Sequence, residues 1–249
     1  MADEKPLSGR RALITGAAQG IGAAIAAELA GLGAAVVIAD VDAQGAKQVA
    51  AEFAGGTAVA IDLADTESVE SCIEAVLAEG DIDILVNNAG VSTVEHFLDS
   101  DPAGWDRMWR INLRAPMRLA QAFLPGMMER EWGRLLFIAT DSARAGAGGE
   151  SVYASCKAGL FGLAKTLARE AAKYSVTSNV VCPGLVDTPM LRRHAEAHPN
   201  LMSALVKSIP LRRPGTADEV AAYVGFLAGP RAAYVTGQTV SVSGGVTMA

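Results

Sequence analysis

Tyr153 and Lys157 stand four residues apart in a stretch with helical apolar spacing, which puts both side chains on one face of a helix. A phenol with a pKa of about 10 is a poor base near neutrality, and a neighbouring ammonium favours the phenolate and lowers that value. Such a pair can take an alcohol proton while hydride leaves the carbinol carbon, or return it in the reverse direction. A second group of residues suits a dinucleotide. In Thr15-Gly16-Ala17-Ala18-Gln19-Gly20-Ile21-Gly22 the glycines allow a tight turn and let backbone N–H groups approach a pyrophosphate at a helix N-terminus. The spacing is G-x-x-x-G-x-G rather than the commoner G-x-G-x-x-G. Asp40, twenty residues past Gly20, ends the next β-type run, where a carboxylate accepts both hydroxyls of an adenine ribose. No Arg or Lys lies in the loop or beside Asp40 to hold a 2′-phosphate, and Asp42 adds negative charge, so NAD is expected over NADP.

These residues need a scaffold, and the apolar runs supply one. Ala12–Ile14, Ala35–Ala39, Ala58–Ile61, Ile82–Val86, Arg134–Ile138 and Val176–Val181 read as strands. They lack the alternation of a half-exposed sheet, as parallel strands covered on both faces do. Segments of helical spacing, such as Val69, Ile73, Val76 and Leu77, separate them. The expected fold is α/β: one domain over 1–249 with a doubly wound parallel sheet of about seven strands and helices on both faces. The apolar stretch Ile21–Ala39 contains Glu28, Gly31 and Gly33, so a helix followed by a buried strand is expected there rather than a membrane span. Residues 187–215, with Pro189, Pro199, Pro210 and Pro214, read as a lid inserted over one edge.

Composition excludes other classes. With 51% hydrophobic and 19% charged residues the 249-residue chain can bury a large core, which rules out disorder. A net charge of −6 gives no footprint for nucleic acid or an anionic membrane. Cys72, Cys156 and Cys182 are odd in number and lack C-x-x-C spacing, which suits a reducing compartment. The polar start, Met1–Arg11, has no apolar signal core, and a cytoplasmic protein is expected.

Taken together, the chain resembles the short-chain dehydrogenase/reductase family over essentially its whole length. The resemblance rests on Thr15–Gly22, Asp62-Leu63, Asn87-Asn88-Ala89-Gly90, Asn112, Tyr153-Ala154-Ser155-Cys156-Lys157, and Pro183-Gly184 followed by Thr188. It implies a dinucleotide held by Gly16, Gln19, Gly20, Ile21, Gly22 and Asp40, with Asp62 and Leu63 bordering the adenine and Asn88, Ala89 and Gly90 lining the adenosine and ribose side. By the same resemblance Pro183, Gly184, Val186 and Thr188 lie along the nicotinamide, Lys157 holds its ribose, and Asn112 positions a water in a proton relay. It also implies a homotetramer. The family places a serine thirteen residues before the tyrosine to bond the substrate oxygen. Thr140 stands there in this chain, and Ser142, two residues farther along an extended strand end, is the substitute.

A finer likeness is to 2-hydroxycyclohexane-1-carboxyl-CoA dehydrogenase and related β-hydroxyacyl-CoA dehydrogenases, carried by Ile138–Gly149, Val152–Lys157, Asn179–Gly184 and the tail from Thr236 to Met248. It implies NAD-linked oxidation of a β-hydroxyacyl-CoA, with Arg144, Arg192 and Arg193 as the groups for a coenzyme A phosphate. The alternatives are a 3-oxoacyl thioester reductase of the fatty-acid type, a dehydrogenase of another small alcohol, or a non-catalytic dinucleotide-binding subunit. His194 and His198 are four apart but have no evident carboxylate or thiol partner, and no metal is expected.

Overall fold

The described residues of this computed structural model, 5–189, 191–192 and 199–248, build a seven-stranded sheet. Its strands are β1 (Arg11–Thr15), β2 (Ala35–Asp40), β3 (Thr57–Ala60), β4 (Ile84–Asn87), β5 (Gly133–Ile138), β6 (Val176–Pro183) and β7 (Thr239–Val242). Each pairs in parallel, in the order β3-β2-β1-β4-β5-β6-β7. The α-helices are α1 (Gly20–Gly31), α2 (Ala43–Ala50), α3 (Thr66–Ala78), α4 (Pro102–Trp109), α5 (Ala115–Glu129), α6 (Ser142–Ala145), α7 (Ser151–Ala171), α8 (Pro199–Ser208) and α9 (Ala217–Ala228).

The strands read as unbroken apolar runs because neighbouring residues bury into opposite layers. Ala12, Ile14, Val36, Ile38, Leu136 and Ile138 pack with Ile25 and Leu29 of α1, Ala46 of α2 and Val220 and Val224 of α9. Leu13, Val37, Leu85, Leu135 and Phe137 pack on the other face with Val69 and Ile73 of α3, Leu119 and Phe123 of α5 and Leu160 of α7. The stretch Ile21–Ala39 is a helix and then a strand, and no helix among the described residues is long and apolar enough to cross a membrane.

The two ends of the sheet differ from the sequence expectation. β3 covers Thr57–Ala60 and ends one residue before Ile61, at an edge where Thr57 and Ala60 are exposed. β7 is a strand that the apolar runs did not place: Thr239-Val240-Ser241-Val242 is short, half polar and only partly buried. At the base of the 187–215 segment, Val186 and Gly215 form a parallel bridge, with the Asp187 N–H bonded to the Gly215 carbonyl at 2.8 Å. Arg193, His194 and His198 lie outside the described residues.

Strand order reverses at β1, whose neighbours are β2 on one side and β4 on the other. A crevice at the carboxyl ends of strands around such a reversal is where open α/β sheets bind ligands. The glycine loop follows β1, Asp40 ends β2, Asn88–Gly90 follow β4 and Thr140 follows β5 within two residues, so the sheet gathers the chemistry-bearing residues at one rim.

Candidate active site

Backbone packing explains the glycines. A Cβ on Gly16 would lie 2.7 Å from Ala89 Cα, and one on Gly22 would lie 2.3 Å from the Gly16 carbonyl oxygen and 2.6 Å from Asn88 Nδ2. Gly16 and Gly20 also adopt φ of +65° and +60°, a region that disfavours other side chains. Gln19, exposed and extended, caps α1 without a side-chain hydrogen bond, which leaves backbone donors at the helix start for an anion. Ile21 anchors that first turn against the α1 layer of the core.

Two residues clamp this loop to β4. The Asn88 amide donates to the Thr15 and Gly16 carbonyls at 2.9 and 3.0 Å. The Thr15 hydroxyl, 1% exposed with its residue, accepts from the Asn88 and Ala89 N–H groups, both at 3.1 Å. The family resemblance implies a nucleotide contact for Asn88 and gives Thr15 no role of its own. In the structure both side chains hold the loop itself, and a hydroxyl placed directly before the first glycine was the available signal.

Asp40 reaches the same loop. One carboxylate oxygen accepts from the Ala18 N–H at 2.9 Å and the other from the Asp42 N–H at 3.0 Å. Each oxygen keeps acceptor capacity for ribose hydroxyls. Asp42 caps α2 through the Gly45 N–H at 3.0 Å. Asp62 is exposed and accepts from the Ala64 N–H at 2.9 Å, while Leu63 is buried in the core. A backbone cradle shaped by glycines, uncapped donors and a carboxylate at the loop fit a dinucleotide.

Around Gly90 the catalytic candidates converge. A Cβ there would meet Asn112 Oδ1 at 2.9 Å and Lys157 Nζ at 3.0 Å. Asn112 is fully buried in a π-helical turn, Arg110–Arg114, between α4 and α5. Its amide pincers Val91, accepting from the N–H at 3.1 Å and donating to the carbonyl at 2.8 Å. A π-turn in a helix shifts one residue out of register, and such turns recur at functional sites. Lys157, 2% exposed, donates to the carbonyls of Ile138 at 2.9 Å and Ala89 at 3.3 Å, so one ammonium joins the ends of β4 and β5.

Electrostatics correct one expectation. In the chain by itself the Tyr153 phenol lies above its ordinary value, not below it. Burial pushes the phenol up, with Glu150 and Cys182 acting in the same direction. Burial also depresses the Lys157 ammonium to about 8, and raises the Cys182 thiol to about 12. The physical reason is that desolvation penalises every charged form in this dry corner.

The turn after β5 gives a second correction. Asp141 is already helical, at φ −65° and ψ −25°, and Ser142 opens α6, so no extended strand end carries Ser142 alongside Thr140. The Thr140 hydroxyl accepts from the Ser142 N–H at 3.2 Å. The arginines have protein partners. Arg144 Nη1 donates to the Thr239 carbonyl at 2.9 Å and the Ser241 hydroxyl at 3.3 Å. Exposed Arg192 makes a two-point ion pair with Asp187 at 2.8 and 3.0 Å, which already offsets its charge.

Along β6 and beyond, the buried Pro183 accepts the Asp141 N–H at 3.1 Å through its carbonyl, and a Cβ on Gly184 would lie 2.8 Å from Ser243 Cβ. Val186 is buried at the bridge to Gly215. The Thr188 hydroxyl accepts from the Leu191 N–H at 3.2 Å, and its methyl would be 3.7 Å from a Cβ on Gly20. The start of the 187–215 segment thus sits over the glycine loop.

Comparison with known proteins extends the picture. A family model described as enoyl-(acyl carrier protein) reductase matches residues 16–247. A 3-oxoacyl-[acyl-carrier-protein] reductase of Pseudomonas aeruginosa is 41% identical, covering 97% of this chain and 99% of its own. A 2,3-dihydroxy-2,3-dihydro-p-cumate dehydrogenase of Pseudomonas putida is 39% identical, covering 98% of this chain and 96% of its own. A solved short chain dehydrogenase/reductase family protein superposes with a TM-score of 0.88 at 39% identity, covering 96% of this chain and 98% of that one.

Proposed function

The chain belongs to the short-chain dehydrogenase/reductase family, and on that premise we propose that this oxidoreductase uses NAD to interconvert a secondary alcohol and a ketone at the carbon β to a thioester carbonyl. Asp40 carries the cofactor choice. Its carboxylate, fixed by the Ala18 and Asp42 N–H groups, accepts ribose hydroxyls and repels a 2′-phosphate.

In this reading Gly16, Gly20 and Gly22 receive the pyrophosphate, Leu63 and Asn88–Gly90 flank the adenosine, and Val186 and Thr188 border the nicotinamide. Bound NAD supplies the hydride acceptor and a positively charged ring. Tyr153 moves the proton at the substrate oxygen, and the Thr140 hydroxyl holds that oxygen. Lys157 orients the ribose from its anchor on the Ala89 and Ile138 carbonyls. Asn112 keeps the Gly90–Val91 backbone in place beside it. Residues 187–215 act as a lid hinged at the Val186–Gly215 bridge.

The thioester assignment is supported by relatives named for 3-oxoacyl-[acyl-carrier-protein] reduction, and a β-hydroxyacyl-CoA is the companion substrate. A cyclic vicinal diol is the second reading, favoured by the Pseudomonas putida relative. A cytoplasmic homotetramer accompanies either. The test is a coupled screen of β-hydroxyacyl and 3-oxoacyl thioesters, cyclic diols and simple secondary alcohols with NAD and with NADP. The proposal expects turnover on thioesters and a kcat/KM for NAD at least about tenfold above that for NADP, with Asp40→Ser weakening NAD and narrowing the gap by relieving repulsion of the 2′-phosphate. Equal use of the two dinucleotides by the native protein would refute the cofactor assignment, and turnover confined to diols would replace the thioester.

A further inference from the structure

We propose, resting on the role given to Thr140 above, that Asp141 is a positioning residue for the reaction. Its carboxylate, joined to the Arg144 guanidinium through the Ser241 hydroxyl, fixes the turn that presents the Thr140 hydroxyl to the substrate oxygen. That turn cannot hold itself. α6 is only four residues long, and Gly146 at φ +78° ends it. Its internal bonds run from the Ala143 N–H to the Thr140 carbonyl at 3.1 Å, and from the Arg144 and Ala145 N–H groups to the Asp141 carbonyl at 2.9 and 3.0 Å. A single turn of helix fixes more dihedral angles than so few bonds offset, so its place is set by neighbouring strands.

Asp141 reaches two of those strands. Its N–H donates to the Pro183 carbonyl of β6 at 3.1 Å, and its Oδ1 accepts from the Ser241 hydroxyl of β7. The same hydroxyl accepts from Arg144 Nη1 at 3.3 Å, and that nitrogen also donates to the Thr239 carbonyl at 2.9 Å. Ser241 thus spends its one proton on the carboxylate and a lone pair on the guanidinium, which fixes the direction of both bonds. The next residue of β7, Val242, accepts the Gly184 N–H at 3.1 Å, so one strand anchors the Thr140 turn and the Pro183-Gly184 turn together. Asp141 is 5% exposed, and its Oδ2 has no hydrogen-bond partner among the described residues. A buried carboxylate contributes little to stability once its desolvation is counted, and the best-attested use of such groups is to select one arrangement over others. Here the arrangement selected is that of Thr140. Asp141 follows it directly, and the Ser142 N–H donates to the Thr140 hydroxyl at 3.2 Å, which leaves the hydroxyl proton for a substrate oxygen.

A double-mutant cycle in kcat tests this, with Asp141→Ala and Ser241→Ala each made in the native protein and in Thr140→Val. Ser241→Ala removes one atom from a partly buried strand and keeps the cycle readable if Asp141→Ala does not fold. Each alanine variant is expected to lose about ten- to thirtyfold in kcat, with NAD affinity within about threefold of native, and to lose less than about threefold more where Thr140 is already valine. A residue that only stabilised the fold would cost the same in both backgrounds. Hydrogen exchange without substrate gives a second reading: the amides of 140–146 should exchange at least about tenfold faster in Ser241→Ala, with those of α7 unchanged. Equal kcat losses in the two backgrounds, or an unchanged kcat or unchanged exchange in Ser241→Ala, overturn the proposal while leaving Thr140 its role. Near-native kcat in Thr140→Val removes that role, and the proposal with it.

Discussion

Replacing Lys157 by methionine removes a buried charge while keeping the length of the side chain. Burial takes the ammonium from 10.5 to about 8. Relative to the unfolded chain that penalises the charged form by about 3 kcal/mol. Below pH 8 the side chain is protonated in both states, so the penalty is fully present. Between pH 8 and 10.5 the unfolded chain binds the extra proton, and the native protein gains stability as pH rises. Methionine escapes the penalty but leaves the Ala89 and Ile138 carbonyls without the donor they have at 3.3 and 2.9 Å. That costs about 1–3 kcal/mol for each carbonyl, about 2–6 kcal/mol for the two, which offsets or exceeds the gain. The variant is therefore expected to be inactive, and its stability relative to the native protein to fall by about 2 kcal/mol between about pH 6.5 and about pH 9.5, as the native protein sheds the penalty that methionine never carries. Urea and thermal unfolding of both proteins without dinucleotide, at about pH 6.5 and about pH 9.5, measure the difference. The variant's stability relative to the native protein should fall as pH rises through this interval. A stability difference between the two proteins that is independent of pH, or that moves in the variant's favour as pH rises, would refute the reasoning.

Other substitutions test single contacts. Thr140→Ser should stay active, whereas Thr140→Val should lose about 10²–10³ in kcat; Ser142→Ala should be near native, because Ser142 lies in α6, and steady-state kinetics that reversed the last two would move the hydroxyl role to Ser142. Gly22→Ala places a methyl carbon 2.3 Å from the Gly16 carbonyl oxygen. It should weaken NAD binding at least about tenfold by displacing the loop, measured by nicotinamide-dinucleotide titration, with near-native binding arguing that the loop does not hold the cofactor.

Much of the sheet was legible because its order is written in local chemistry. β1, the glycine loop, α1 and Asp40 follow one another within 30 residues, and the parallel strands are apolar on both faces. What the sequence left open depends on contacts between distant segments. Thr239–Val242 becomes a strand through pairing with β6 and through Arg144 and Asp141, about a hundred positions earlier. The π-turn around Asn112 has no propensity signal, since its side chain is satisfied by Val91, 21 residues away. The charge state of Tyr153 follows from burial, which the i,i+4 spacing with Lys157 does not report. Arg144, expected from the sequence to meet a coenzyme A phosphate, braces β7, a contact across 95 positions that local spacing does not report.

Tyr153→Phe isolates proton transfer by Tyr153, because only the hydroxyl is removed. Dinucleotide titration by fluorescence and single-turnover hydride transfer, measured on the native protein and the variant with the best substrate from the screen, give binding and chemistry separately. NAD affinity is expected to stay within about threefold of native and the transfer rate to fall by at least about 10³. A Phe variant that retained most of the native transfer rate would contradict that role for Tyr153.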